Sequence, residues 1–148
     1  MENRKIRVAV THGDTNGIGY EVILRAFEDP MMLDMCTPII YGSPKAATFH
    51  RKELQIETQF TIIKDAEEAR DGRVNLLATF DDEVPIEFGT PTEASDHAAK
   101  QAVTRAKEDM QKHLYDVLVL GPVVPNPNPN REEKALTIML SDRVRIGL

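Results

Sequence analysis

The chain has 148 residues, 41% hydrophobic and 28% charged, with 18 basic and 24 acidic side chains, a formal charge of −6 and a pI near 5.2. That length is enough for one domain, residues 1–148, with a true core, and the composition excludes a disordered or fibrous chain. The acidic balance speaks against nucleic acid as a partner, and the apolar run after the charged start MENRK is too short for a signal peptide or membrane span, so a cytoplasmic protein with no membrane contact is expected.

In chain order, residues 6–10 (IRVAV) read as a first strand, apolar at nearly every position. A glycine-rich turn follows, then a helix from Ile18 to about Phe27 that is expected to bury Ile18, Val22, Ile23 and Ala26 and to end before Pro30. Cys36, the single cysteine, has no thiol partner for a disulfide or zinc site and reads as a small half-buried apolar residue. Residues 38–41 (PIIY) predict a second strand, and Ser43 with Pro44 supplies an N-cap and a first-turn proline for another helix. Residues 59–63 (QFTII) and 74–78 (VNLLA) predict two more strands. Asp81, Asp82 and Glu83 read as a solvated turn rather than a hard-cation site, and residues 84–88 (VPIEF) as a short strand at an edge because of Pro85.

The longest helix is expected to open at Thr90, with Glu93 at capping-box spacing. Its core stripe is read as Ala99, Val103, Ala106, Met110 and Leu114. Residues 116–120 (DVLVL) predict a strand, and residues 123–133 (VVPNPNPNREE) a helix-free connector, since each interior proline costs a helix about 3 kcal/mol. The closing ALTIML-SD-RVRIGL reads as a β-hairpin turning at Ser141 and Asp142. The alternating order predicts an α/β class, a layered α/β/α domain with a mostly parallel sheet made mixed by that hairpin.

The turn itself, THGDTNGIGYE, carries the chemistry. A strand-to-helix turn gathers unpaired backbone N–H groups at the positive end of a helix dipole and can receive an anion. Gly17 and Gly19 allow close approach, Gly13 permits a positive φ, and Asp14 and Asn16 suit either a ligand or the closing of the turn on itself. Glu21 is accounted for by the dipole. The spacing is G-x-x-x-G-x-G, neither a dinucleotide fingerprint nor a P-loop. Chemistry alone leaves both a structural turn and an anion or cofactor contact open.

VAVTHGDTNGIGYEVIL resembles the opening of the PdxA-type 4-hydroxythreonine-4-phosphate dehydrogenases, of the isocitrate and isopropylmalate dehydrogenase-like fold, with Thr11, Gly13, Asp14, Gly17, Ile18, Gly19 and Glu21 in order. The likeness continues through TPIIYGS, RVNLLATFDDEVPIEFGTPTEASDHAA, DVLVLGPV and KALTIMLSDRVRIGL. It implies NAD-dependent oxidation of a phosphorylated hydroxy-amino acid followed by decarboxylation, a histidine-bound divalent metal acting as Lewis acid, and a homodimer. On this resemblance Gly13, Asp14, Asn16, Gly17 and Gly19 are cofactor-contact candidates, and His12, where many relatives have proline, is a substrate-contact candidate.

The sequence also departs from the family. The PNPNPN run stands where relatives carry a basic residue and a Gly-His-Thr-Glu motif, and the later metal histidines have no counterpart before Leu148. His50, His97 and His113 fall on predicted helices with no metal-binding step and read as surface or satisfied side chains. No nucleophile motif is present. The expectation is therefore a catalytically incomplete, engineered-looking domain of such a dehydrogenase. It would hold no catalytic or metal residues and no bound cofactor, with at most phosphate or another small anion at the turn. Two alternatives are an active metal- and NAD-dependent enzyme completed by a partner chain, and a non-enzymatic self-associating scaffold.

Overall fold

A computed structural model of the chain describes residues 5–79, 85–90, 92–121 and 137–140. Among the described residues six strands form one sheet: β1 (Ile6–Thr11), β2 (Cys36–Gly42), β3 (Thr61–Ile63), β4 (Asn75–Ala78), β5 (Val117–Leu120) and β6 (Thr137–Leu140), in the order β3-β4-β2-β1-β5-β6. Every neighbouring pair is parallel except β5 and β6, which run antiparallel with Val117 opposite Leu140. The mixed α/β sheet is as expected. The second arm of the closing hairpin, the connector at 123–133 and the acidic residues 81–83 lie outside the described residues.

The period-2 alternation of the strands sorts side chains into two cores. Ala9, Ile39, Tyr41, Leu77 and Leu118 point to one face, where they meet Ala102 and Ala106 of α4 (Glu93–Gln111). Val10, Ile40 and Leu76 point to the other, against Tyr20, Ile23 and Leu24 of α1 (Gly19–Ala26) and Ala46 and Ala47 of α3 (Pro44–Glu53). The small side chains on α4 let it lie close on the sheet. There the Tyr41 hydroxyl donates to Asp109 Oδ2 at 2.6 Å, and Arg105 Nε lies 3.5 Å from Oδ1. The buried Asp109 carboxylate is thereby paired on both oxygens, as a charge removed from water requires.

Four local expectations are corrected. On α1 the buried stripe is Tyr20, Ile23 and Leu24, continued by Phe27, while Ile18, Val22 and Ala26 are exposed. The i, i+3, i+4 spacing from Tyr20 carries Tyr20, Ile23 and Leu24 inward together and leaves Ile18, Val22 and Ala26 facing out. A further helix, α2 (Pro30–Met35), was not foreseen; Asp29 caps it by accepting from the Met31 N–H at 3.0 Å, and it buries none of its residues. The capping box of α4 is Thr92 with Ser95, not Thr90 with Glu93, because the Thr90 carbonyl is taken by Asn16. Pro85 to Phe88 do not form a strand: Ile86 enters the α1-side core, and the Glu87 N–H donates to Asn16 Oδ1 at 2.8 Å instead of to a sheet neighbour.

Both α3 and α4 end in a Schellman turn, with Ile56 N–H on the Arg51 carbonyl and Leu114 N–H on the Asp109 carbonyl. The residues at the left-handed position are Gln55 (φ 53°) and His113 (φ 57°). An L side chain is disfavoured there. Gln55→Gly and His113→Gly are each expected to raise stability by about 0.5–1 kcal/mol, read from the urea midpoint at unchanged m-value.

Candidate functional site

The strand order fixes where a site can form. From β1 the chain passes through α1 and α2 to β2 on one side, and later returns through α4, on the opposite face, to β5 on the other. β1 is thus flanked by strands reached in opposite directions, the topological switch point outside whose carboxyl ends α/β proteins open a binding crevice. The glycine turn begins at that strand end.

Three strand ends converge on it. The His12 N–H continues the ladder to the Tyr41 carbonyl at 3.0 Å, and Gly13 turns the chain with φ 68°. Gly121, just after β5, donates its N–H to Thr11 Oγ1 at 3.0 Å and leaves no room for a side chain: a Cβ would lie 2.3 Å from the Thr11 carbonyl oxygen and 2.8 Å from Gly13 N. Gly42, at the end of β2, is as tight against the Tyr20 hydroxyl and the His12 ring.

Within the turn most polar groups serve the turn itself. The Asp14 carbonyl accepts from Gly17 N–H at 3.1 Å, and Asp14 Oδ1 from Asn16 N–H at 3.0 Å. Asn16, 1% exposed, clamps the segment that leads into α4: Nδ2 donates to the Thr90 carbonyl at 2.8 Å, Oδ1 accepts from Glu87 and the backbone carbonyl accepts from Gly89. His50 Nε2 donates to the Thr15 carbonyl at 2.6 Å. Asp14 Oδ2 and Thr15 Oγ1 are buried with no hydrogen-bond partner among the described residues. The first turn of α1 has Ile18 at its N-cap, which offers no side-chain acceptor.

His12 is fully buried and both ring nitrogens are engaged. Nε2 lies 3.0 Å from the Ala98 carbonyl, which can only accept, so the proton sits on Nε2. Nδ1 is then the acceptor for the Tyr20 hydroxyl at 2.7 Å, which in turn accepts from Ser43 N–H at 2.9 Å. Burial pushes His12 down to about 4, opposed in part by the Ala98 carbonyl and reinforced by His50. Burial lowers His50 as well and raises the Tyr20 phenol. The chain of bonds is neutral throughout.

The sequence candidates therefore gather on one turn but in different settings. His12, Gly13, Asp14, Asn16 and Gly19 are buried, Gly17 is half-buried and Ile18 is exposed. Tyr20, Gly42, His50 and Gly121 complete the site without having been singled out for it; His50 is satisfied, as read, but at the base of the turn. His97 is exposed on α4 and His113 exposed just beyond it. Among the described residues, no three His, Cys, Asp or Glu side chains are grouped to hold a metal, and no helix is long and apolar enough to cross a membrane.

Residues 34–127 match the family described as pyridoxal phosphate biosynthetic protein PdxA. The chain is 49% identical over 123 residues to a 4-hydroxythreonine-4-phosphate dehydrogenase of Bacteroides thetaiotaomicron, covering 83% of this chain and 34% of that one. It is 27% identical over 128 residues to the enzyme of that name from Geobacter metallireducens, covering 83% and 37%. Among solved structures it is similar to a 4-hydroxythreonine-4-phosphate dehydrogenase from Burkholderia phymatum, with a TM-score of 0.73 at 24% identity over 88% of this chain and 42% of that one. It also resembles a putative one from Salmonella typhimurium, with a TM-score of 0.69 at 20% identity over 82% and 38%. The chain spans about a third of the length of the curated relatives it matches.

Two outcomes follow from the geometry. Gly121→Ala is expected to cost at least about 2 kcal/mol because its methyl meets backbone that cannot yield, whereas Gly17→Ala, whose Cβ would sit 3.4 Å from Asp14 Oδ2, costs under about 1 kcal/mol. Because the folded chain holds His12 near 4, below its ordinary 6.5, the unfolded chain takes up a proton first as pH falls. Stability should be full above about pH 6.5 and fall towards pH 4, with about 2 kcal/mol lost between pH 7.5 and 5 and a smaller loss in His12→Gln, as measured by urea denaturation.

Proposed function

The chain belongs to the family of the pyridoxal phosphate biosynthetic protein PdxA, and from that membership we propose that it supplies the strand-end glycine turn of an NAD-dependent dehydrogenase acting on a phosphorylated hydroxy-amino acid. The observation that carries this reading is the position of the turn: Gly17 and Ile18 reach solvent at the uncapped start of α1, at the switch point between β1 and β5. The oxidant's pyrophosphate, or a free phosphate, would meet the backbone N–H groups of residues 18 and 19 there, since the Gly17 N–H is already bonded to the Asp14 carbonyl. Gly13, Asp14 and Asn16 set the shape of that backbone. His12 acts from beneath it, holding β1, α1 and the start of α3 together through Tyr20.

NAD, when bound, supplies the hydride acceptor, and this chain's residues bind and orient it. The divalent metal that the family uses does not fit the described residues: His12 and His50 are committed to the Ala98 and Thr15 carbonyls, and no other donors converge. No step through a metal is therefore assigned to these residues. On this reading the Pro-Asn run from Pro125 stands in place of a substrate-holding stretch, and the 148 residues alone bind a nucleotide weakly without turning it over. The match to the family ends at residue 127, inside that run.

Titrating the purified chain with inorganic phosphate and with NAD, while following its backbone amides by NMR, should give saturable millimolar-range shifts centred on residues 17–19. Phosphorylated hydroxythreonine with NAD and a divalent metal should give no NADH. Unmoved amides at the turn would refute the binding half of the proposal, and chelator-sensitive NADH formation the other half.

A further inference from the structure

The glycine turn spends nearly all its polar groups on itself, and what it leaves over has a definite chemistry. Asp14 is 6% exposed; its Oδ1 is satisfied by Asn16 N–H, while Oδ2 has no hydrogen-bond partner among the described residues and lies 3.4 Å from the Cβ position that Gly17 leaves empty. A buried carboxylate oxygen without a donor is costly, and the positive end of α1 offsets that cost without supplying a hydrogen bond. Beside it, the N-cap Ile18 provides no acceptor for the first N–H groups of α1. One side of the turn therefore asks for a donor and the other for an acceptor.

A phosphate dianion answers only the second demand, and the Asp14 charge opposes it. A hydroxyl answers both, since it donates one hydrogen bond and accepts others. Two neighbouring hydroxyls do so over the width of the turn. Next to the turn stands an exposed aromatic surface. Phe88, 51% exposed, is fixed in place by Glu87 N–H on Asn16 Oδ1 and Gly89 N–H on the Asn16 carbonyl. It lies 5.8 Å from Phe49 and 5.2 Å from the His50 ring, centroid to centroid. Flat heterocycles stack on such faces.

From these observations we infer that Asp14 Oδ2 and the uncapped start of α1 form a seat for the vicinal diol of a nucleoside ribose, with the base against Phe88 and Phe49. This rests on the reading that the turn takes a nucleotide and specifies which part of it Asp14 selects: the uncharged sugar, leaving phosphate to the more exposed residues 17 and 18.

The test uses the whole 148-residue chain with adenosine, 2′,3′-dideoxyadenosine and inorganic phosphate as separate probes, read at the amides of residues 14–20. Adenosine is expected to shift them saturably at millimolar concentration, and the dideoxy compound to bind about tenfold more weakly, the loss of a hydrogen bond to a charged group. Asp14→Asn keeps the acceptor for Asn16 N–H but removes the charge. It should weaken adenosine about tenfold while phosphate binding tightens. Phe88→Ala, at an exposed ring, should weaken adenosine several-fold and leave phosphate unchanged. Phosphate shifts without adenosine shifts would overturn the diol seat and keep the anion-binding turn; no shift from either probe would overturn both. Equal binding of adenosine and its dideoxy analogue, or an adenosine affinity indifferent to Asp14→Asn, would also refute the role of Asp14.

Discussion

A single neutral histidine holds the carboxyl end of the sheet together. His12 joins the end of β1 to α4 through the Ala98 carbonyl, to α1 through Tyr20, and by way of Tyr20 to the start of α3 at Ser43. These elements lie on both faces of the sheet, so the ring spans the layer that the two apolar cores leave between them at that edge. The arrangement works only while the ring is uncharged, because the Tyr20 hydroxyl must donate to Nδ1. The tight backbone at Gly42 and Gly121 follows from it: the ring and the turn occupy the volume a side chain would need at both positions.

The same economy governs the other face. α4 lies on β1, β2 and β5 through alanines, and the narrow gap they leave brings Tyr41 and Asp109 within hydrogen-bonding distance. A polar tie inside an apolar layer adds little net stability but penalises any sliding of the helix that would strand the carboxylate. Ala98, which accepts from His12, is on the same helix. Its position at the turn is therefore set twice, once by packing and once by the fixed register of Asp109.

The sequence made the layered class, the parallel strands and the glycine turn legible, since each rests on local pattern: apolar runs, the Ser43 and Pro44 pair, glycines between strand and helix. Where the sequence misled, non-local contacts had the deciding influence. The Val-Pro-Ile-Glu-Phe segment has strand composition, yet the Glu87 N–H is committed to Asn16, more than seventy positions away in the chain, and no local pattern reports that. The helix at Pro30 fully buries no side chain, with Leu33 only half-buried against the α1-side core, and so lacks a stripe to read, although the Asp29 and Pro30 pair was a usable signal. On α1 either of two apolar stripes was possible, and the choice fell to Tyr20 because its hydroxyl had a partner in the core. His50 could not have been tied to the site by spacing, because only the packing of α3 against α1 brings it under Thr15.

Seen as a division of polar groups, the turn splits residue by residue into groups that the fold uses and groups that it leaves over. Asn16, Asp14 Oδ1, the Thr15 carbonyl and His12 are saturated by the chain and fix the backbone path. Asp14 Oδ2, Thr15 Oγ1 and the start of α1 are not. The dipole of α1 offsets part of the desolvation cost of the buried carboxylate, whereas an asparagine would make the same bond to residue 16 without incurring that cost. A carboxylate half used by the fold and half unused, beside the switch point of the described sheet, is what a turn that takes a hydrogen-bond-donating ligand would retain.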